Sequence, residues 1–278
     1  MPSASIVIPT RGRPEYLAVT LTSVAPQAAS AGAELIVVDD GHDPGTAAMA
    51  RAHAARLLRA PAPGANAARN AGIDAARGDP VVLIDDDVRA PSGWLAALLQ
   101  GVAAAPEHEV FGGPIVAVLE GGGPRACGCE PPPITNLDCG PVDRDVSLVW
   151  SANMAIRRGA LQRVGRFDET IHGRGEEEDW QRRYAAQGGR VRYLAAAGLE
   201  HRRTEADARL RPLTLAAYRL GRTARLYDAR KGRPPKLRVE LRTLVGCLWH
   251  ATRGRCASGI VLAGHACGRL REALAGPR

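Results

Sequence analysis

Lysine is nearly absent: of 37 basic residues only Lys231 and Lys236 are lysines. With no lysine before residue 231 the chain has no Gly-x-x-x-x-Gly-Lys, so a P-loop nucleotidase is excluded. A nucleotidyltransferase would want a Gly-rich phosphate loop and a nearby lysine, whereas this N-terminus offers Pro9-Thr10-Arg11. No apolar run reaches the roughly 18–20 residues of a spanning helix. The longest candidate, Ile260-Val261-Leu262-Ala263, is bounded by Gly259, Gly264 and His265. No secretory leader precedes the apolar stretch Ser5-Ile6-Val7-Ile8, so a cytoplasmic location with reduced thiols is expected. Six cysteines are present, and Cys127-Gly-Cys129 with Cys139 offers three soft ligands. Their spacing fits no common zinc pattern and no fourth ligand is evident. There is no internal repeat and no nucleic-acid-binding motif, so no nucleic-acid partner is expected.

What is present suits a soluble globular chain. Its 278 residues are 45% hydrophobic and 24% charged, enough for one large α/β domain and an appendage. The net charge of +8 is unevenly placed. From residue 205 onward there are sixteen Lys or Arg against five Asp or Glu, so the body is mildly acidic and the tail basic.

Strand and helix signals alternate along the first hundred residues. Ser5 to Pro9 reads as a strand, with Pro14 suited to the first turn of a helix over 15–25. Glu34 to Val38 is a second strand ending at Asp39-Asp40-Gly41, and Arg56-Leu57-Leu58 a weak third. Residues 65–77 are Ala-rich and helical in propensity. The apolar run Val81-Val82-Leu83-Ile84 then delivers Asp85-Asp86-Asp87. Such alternation implies a parallel sheet with right-handed crossovers. Three carboxylates at the C-terminal mouth of a buried strand sit where open α/β sheets bind ligands. Their mutual repulsion calls for a cation, and hard oxygen ligands suit Mg²⁺ or Mn²⁺. Further on, Val110 to Val118 and residues 147–156 read as strands, 119–146 as a long surface loop, and Glu176 to Gln187 as a helix with an acidic first turn. Val191 to Leu194 is a final strand leading to His201.

Seven landmarks in order carry a resemblance. They are Val7-Ile8-Pro9-Thr10-Arg11, Val37-Val38-Asp39-Asp40-Gly41, Ala68-Arg69-Asn70-Ala71-Gly72, Asp85-Asp86-Asp87, Ser151 to Arg158, Gly165-Arg166-Phe167-Asp168-Glu169 and Glu176-Glu177-Glu178-Asp179. Together they resemble the family 2 glycosyltransferases from Ile6 to about His201. The resemblance implies a GT-A fold, a Rossmann-like, mostly parallel sheet with flanking helices, over residues 1–204. A basic, amphipathic helical extension would occupy 205–278. It also implies an inverting enzyme that moves a sugar from a nucleotide-diphosphate donor, UDP being the commonest carrier, to a hydroxyl acceptor. The alternative is a non-catalytic nucleotide-sugar-binding or scaffold protein of the same fold.

By resemblance, Asp40 and then Asp39 contact the nucleoside, unless an aspartate there caps the following turn. Pro9, Thr10 and Arg11 flank the base and phosphate, and Arg69 meets the diphosphate or Asp85. Asp85 and Asp86 face the donor. Asp87, with Asp85 and His201, holds the divalent metal, unless His201 is a satisfied histidine. The catalytic base falls on Glu177, with Glu178 and Asp179 as rivals. Asp179 also fits an i,i+4 pair with Arg183. Trp150 and Asn153 line the acceptor side. Two departures stand out: Glu177 where an Asp is usual, and His42-Asp43 where a small hydroxyl residue is commoner. In the tail, Leu213, Ala217, Leu220, Ala224 and Tyr227 share one helical face, and Leu237, Leu241, Leu244 and Leu248 another, with Pro234-Pro235 between. This tail is expected to meet an anionic membrane surface peripherally, at the inner face, or else to pack on the body or on a second copy.

Overall fold

The computed structural model describes residues 1–128 and 133–275. The chain divides into two compact units. The first comprises Met1–Ala117, Asn136–Thr170 and Glu176–His201; the second comprises Val118–Thr135, Ile171–Gly175 and Arg202–Arg278.

The first unit opens with β1 (Ser5–Thr10), α1 (Pro14–Ala31), β2 (Glu34–Asp39), α2 (Pro44–Ala52), β3 (Arg56–Arg59), α3 (Ala65–Ala75) and β4 (Val81–Ile84). Strands β3, β2, β1 and β4 lie side by side and parallel, as the alternating pattern requires. Successive side chains leave opposite faces of a strand, and both faces here are covered. Ile6, Ile8, Val37, Val82 and Ile84 enter one core, which includes Leu17, Leu21 and Val24 of α1. Val7, Ile36, Val38, Val81 and Leu83 enter the other, with Ala68 of α3. The exposed outer strand β3 begins and ends on arginine, which blunts a free sheet edge.

Beyond β4 come β5 (Val88–Arg89), α4 (Trp94–Ala104), β6 (Val110–Gly112), β7 (Ile115–Leu119), β8 (Arg144–Val146), β9 (Asn153–Ile156), α5 (Arg158–Val164), α6 (Glu176–Ala185), β10 (Val191–Tyr193) and β11 (Leu199–Arg203). Strand β9 inserts antiparallel between β4 and β6, giving the order β3-β2-β1-β4-β9-β6-β10-β8. A second sheet is ordered β5-β11-β7. The expected single strand over 110–118 is broken at Gly113-Pro114, where proline cannot donate to a ladder. Helix α1 continues past Pro26 to Ala31, because Val24 and Ala28 on either side are both buried.

The second unit contains three α-helices among its described residues: α7 (Leu210–Arg230), α8 (Leu237–Arg253) and α9 (Ala257–Ala275). The first two lie where the sequence is amphipathic, but their apolar faces differ: on α7 Leu213, Ala224 and Tyr227 are buried and Leu220 is exposed, whereas on α8 Leu237, Leu241 and Leu248 are exposed and Glu240 is buried. Helix α9 was not expected, since its glycines look like interruptions. They are contact points instead. A Cβ on Gly268 would lie 2.0 Å from the Tyr218 carbonyl oxygen, and one on Gly221 would lie 2.0 Å from that of His265. Buried Glu240 of α8 accepts from Arg269 of α9 at 2.8–3.0 Å, and Arg269 also reaches Asp228 of α7 at 2.8 Å.

Candidate active site

The aspartate run follows β4 as a turn, and its shape is fixed by side chains from its neighbours. Strand β1 lies beside β4, so the loops after the two strands meet. Thr10, the last residue of β1, donates its hydroxyl to Asp86 Oδ2 at 2.6 Å. Arg13, at the entry to α1, bonds Asp86 Oδ1 and reaches Asp87 Oδ2 at 3.1 Å. Buried Thr20 of α1 places its hydroxyl 2.7 and 2.8 Å from the carbonyls of Asp86 and Val88 and accepts the Val88 N–H at 3.2 Å. Antiparallel pairing of β5 with β11 sets His201 opposite Val88. His201 Nε2 therefore lies 3.1 Å from Asp87 Oδ1 and 3.9 Å from Asp85 Oδ2.

On the other side, Arg69 projects from α3. It donates to Glu176 Oε2 at 2.6 Å, to Asn66 Oδ1 at 3.0 Å, and stands 3.6 Å from Asp85 Oδ1. Asp85, Asp86, Asp87, Arg13, Arg69, Glu176 and His201 form one connected network.

The electrostatics follow from burial. Desolvation pushes the Asp85 carboxyl above the ordinary aspartate range; Arg69 opposes this and Asp87 adds to it. Asp86 is raised to about 6 by the same desolvation, offset in part by Arg13. Glu177 is also raised, by burial first, with Arg69 pulling the other way. Burial disfavours the charges of Arg13 and Arg69, yet the surrounding carboxylates hold both guanidinium groups more firmly protonated than usual.

Asp85, Asp87 and His201 each offer a ligand atom, and these atoms lie within 4.8 Å of one another. Two hard carboxylates with an imidazole are ligands that a divalent cation accepts, so these residues could hold one.

The other expected site residues divide clearly. Asp40 sits near the mouth of the same sheet, with Oδ2 accepting from the Gly64 N–H at 3.1 Å and 3.6 Å from the exposed Arg11. Asp39 is the turn cap: its oxygens accept the N–H groups of Gly41, His42 and Asp43 at 2.8, 3.0 and 2.9 Å. Thr10 and Asp86 were expected to meet the donor; both are buried, and their side chains bond each other. Pro9 is half-buried in the β1 ladder opposite Val38. Asn153 was expected on the acceptor side. Instead its oxygen accepts from Trp94 Nε1 at 3.1 Å, and its amide nitrogen donates to the carbonyls of Pro114 and Ala197. Trp150 is half-buried against the core. Asp179 pairs with Arg183 at 3.1 Å, and Arg183 also anchors the carbonyls of Val164 and Arg166.

Sequence reasoning overlooked Arg13, Thr20 and the Arg69–Glu176 pair. The adjacency of the first and fourth strands, implied by a Rossmann-like order, was the available signal for Arg13. A cavity of about 330 Å³ lies elsewhere, lined by Asn70, Ile73 and Asp74 of α3 and Arg158, Leu161 and Gln162 of α5. Its lining shares no residue with the acidic network.

Residues 5–165 match the family model described as glycosyl transferase family 2. The chain is 35% identical over 207 residues to pre-mycofactocin glycosyltransferases of two Mycobacterium tuberculosis strains, CDC 1551 / Oshkosh and ATCC 25618 / H37Rv. The aligned region covers 71% of this chain and 42% of those relatives, so the chain spans well under half of their length. A crystal structure of GalNAc-T7 with UDP, GalNAc and Mn²⁺ has the same fold at TM-score 0.56 and 16% identity, covering 79% of this chain and 48% of that one. A crystal structure of a mycobacterial protein also matches, at TM-score 0.56 and 20% identity, covering 84% of this chain and 76% of that one. Since the family match extends over more than half of the sequence, this chain belongs to glycosyl transferase family 2.

Proposed function

We propose that the chain transfers a sugar from a nucleotide-diphosphate donor, a UDP-sugar first among them, to a hydroxyl acceptor, with inversion at the anomeric carbon. The observation that carries this reading is the convergence of Asp85, Asp87 and His201 with the Arg69–Glu176 pair. Asp40 contacts the nucleoside and the exposed Arg11 the phosphates. Asp85, Asp87 and His201 would hold Mg²⁺ or Mn²⁺, and one solved protein of the same fold holds both UDP and Mn²⁺. Such an ion neutralises the charge that develops on the leaving diphosphate. Glu177 accepts the acceptor's hydroxyl proton as its oxygen bonds to the anomeric carbon. The bond from that carbon to the diphosphate oxygen breaks, and its electron pair leaves with the nucleotide. Glu178 remains the rival base. Half-buried Trp150 lines the acceptor side, and the name of the Mycobacterium tuberculosis relatives makes a pre-mycofactocin acceptor worth including.

A panel of nucleotide sugars, assayed for nucleotide release with and without Mn²⁺ or Mg²⁺, tests this. Release of one nucleotide, dependent on the ion and accelerated by an acceptor, is expected. Nucleotide binding without release for every donor would establish a binding or scaffold role instead.

The tail supports a membrane-surface partner. No helix among the described residues is long and apolar enough to cross a membrane. Helix α8 nevertheless exposes Leu237, Leu241, Val245, Leu248 and Trp249, with Arg238 and Arg242 also exposed on it. An apolar stripe flanked by arginines suits an anionic bilayer surface, at about 1 kcal/mol per basic residue near the headgroups. The full chain should pellet with phosphatidylserine-containing vesicles. A Leu241→Gln/Val245→Gln/Trp249→Gln variant should pellet at least about tenfold less. Equal pelleting of the two proteins would remove the membrane reading.

A further inference from the structure

The second unit holds a cluster of side chains of the types that bind metals, and it shares no residue with the acidic network. Cys127 lies in the segment after β7, His250 near the C-terminus of α8, and Cys256 in the turn that starts α9. Their ligand atoms lie within 4.8 Å of one another. Cys127 Sγ is 3.3 Å from His250 Nε2, and the Cys127 N–H donates to Cys256 Sγ at 3.3 Å. A backbone bond from Ala257 N–H to the Arg125 carbonyl at 2.8 Å keeps the Cys127 segment beside the start of α9. Gly254 N–H, bonded to the His250 carbonyl at 2.9 Å, closes the turn that brings His250 and Cys256 together. Cys256 is buried and Cys127 exposed, so the cluster is open to solvent on one side.

We propose that Cys127, His250 and Cys256 bind a zinc-like divalent cation that ties the 118–128 segment to the α8–α9 turn. Two thiolates and an imidazole are soft to borderline ligands, the set that favours zinc over the hard cations suited to the aspartate cluster. Tetrahedral zinc holds such ligand atoms roughly 3.6 Å apart, so the observed 3.3 Å Cys127–His250 separation needs only a few tenths of an ångström of adjustment. The sequence offers a different trio, Cys127, Cys129 and Cys139, whose spacing fits no common zinc pattern. Of that set, Cys139 belongs to the first unit, and Cys129 lies outside the described residues. His250 and Cys256 were unrecognisable as partners because they are more than 120 positions beyond Cys127.

Titration of the reduced full chain with Co²⁺ tests the site without reference to catalysis. A single thiolate-ligated Co²⁺ per chain is expected, seen as sulfur-to-cobalt charge transfer in the near-ultraviolet and lost stoichiometrically on adding Zn²⁺. Co²⁺ at Asp85, Asp87 and His201 has no sulfur ligand and gives no such band, so the two sites are read separately. Cys127→Ser and Cys256→Ser should each abolish or strongly diminish the band, His250→Ala should weaken binding at least tenfold, and Cys267→Ser should leave it intact. Absence of the band in the wild-type protein overturns the proposal. So does its persistence in both Cys127→Ser and Cys256→Ser, or recovery of Cys127 and Cys256 as a disulfide in reduced preparations.

Discussion

Glu177→Gln should lower the turnover of sugar transfer by about 10²–10⁴-fold while nucleotide binding stays within a few-fold of wild type. The substitution keeps the shape of the side chain and removes only its capacity to take a proton. Glu177 opens α6 next to Glu176, the residue that receives Arg69. Burial raises its pKa and Arg69 limits the rise. A base must be ionised to act, so activity should climb as pH rises through this pKa. The acidic limb of kcat should then lie above the ordinary glutamate range, and it should disappear from whatever activity Glu177→Gln retains. Glu178→Gln is the comparison that separates the rival. If Glu177→Gln turns over near the wild-type rate and Glu178→Gln does not, the base is Glu178. Asp179→Asn is expected to loosen the Arg183 anchor, and so to act on stability more than on the pH profile.

Arg69→Met should destabilise the protein by about 3–5 kcal/mol. Arg69 is buried, and its guanidinium is the 2.6 Å partner of buried Glu176 as well as a 3.6 Å neighbour of Asp85. Removing the cation strands two carboxylates in a poorly solvated place, which costs more than the pair itself contributes. The double variant Arg69→Met/Glu176→Gln should therefore recover a substantial part of the loss. Urea unfolding of the wild type, both single variants and the double variant measures this coupling. Strictly additive effects would mean that the pair is not the origin of the cost. A divalent cation should stabilise Arg69→Met, since Asp85 is one of the groups left uncompensated.

Much of the first unit was legible because its signals are local. Four short apolar runs, each ending in turn residues, specify a parallel sheet, and Asp85-Asp86-Asp87 follows the most completely buried of them. The GT-A fold and the family were accessible from the order of the motifs. What escaped was whatever depends on two distant segments meeting. Arg13 looks like one more loop residue until β1 and β4 are placed side by side. Asp39 and Asp40 are chemically identical on paper; only backbone geometry shows that Asp39 receives three N–H groups of its own turn. Asn153 is expected on the acceptor side, whereas Trp94 and two carbonyls engage it inside the fold. The third tail helix was hidden for the opposite reason. Helix propensity counts Gly259, Gly264 and Gly268 against it, and tertiary packing outweighs that penalty.

Those same glycines have a mechanical consequence. Where Gly221 faces the His265 carbonyl and Gly268 the Tyr218 carbonyl, α7 and α9 touch main chain to main chain, with no flexible side chain between them to absorb a displacement. Close-packed interiors transmit strain, and here the cushioning layer is missing. Any force felt along α9 should pass directly to α7, so the pair behaves as a single stiff strut rather than as two independently sliding rods.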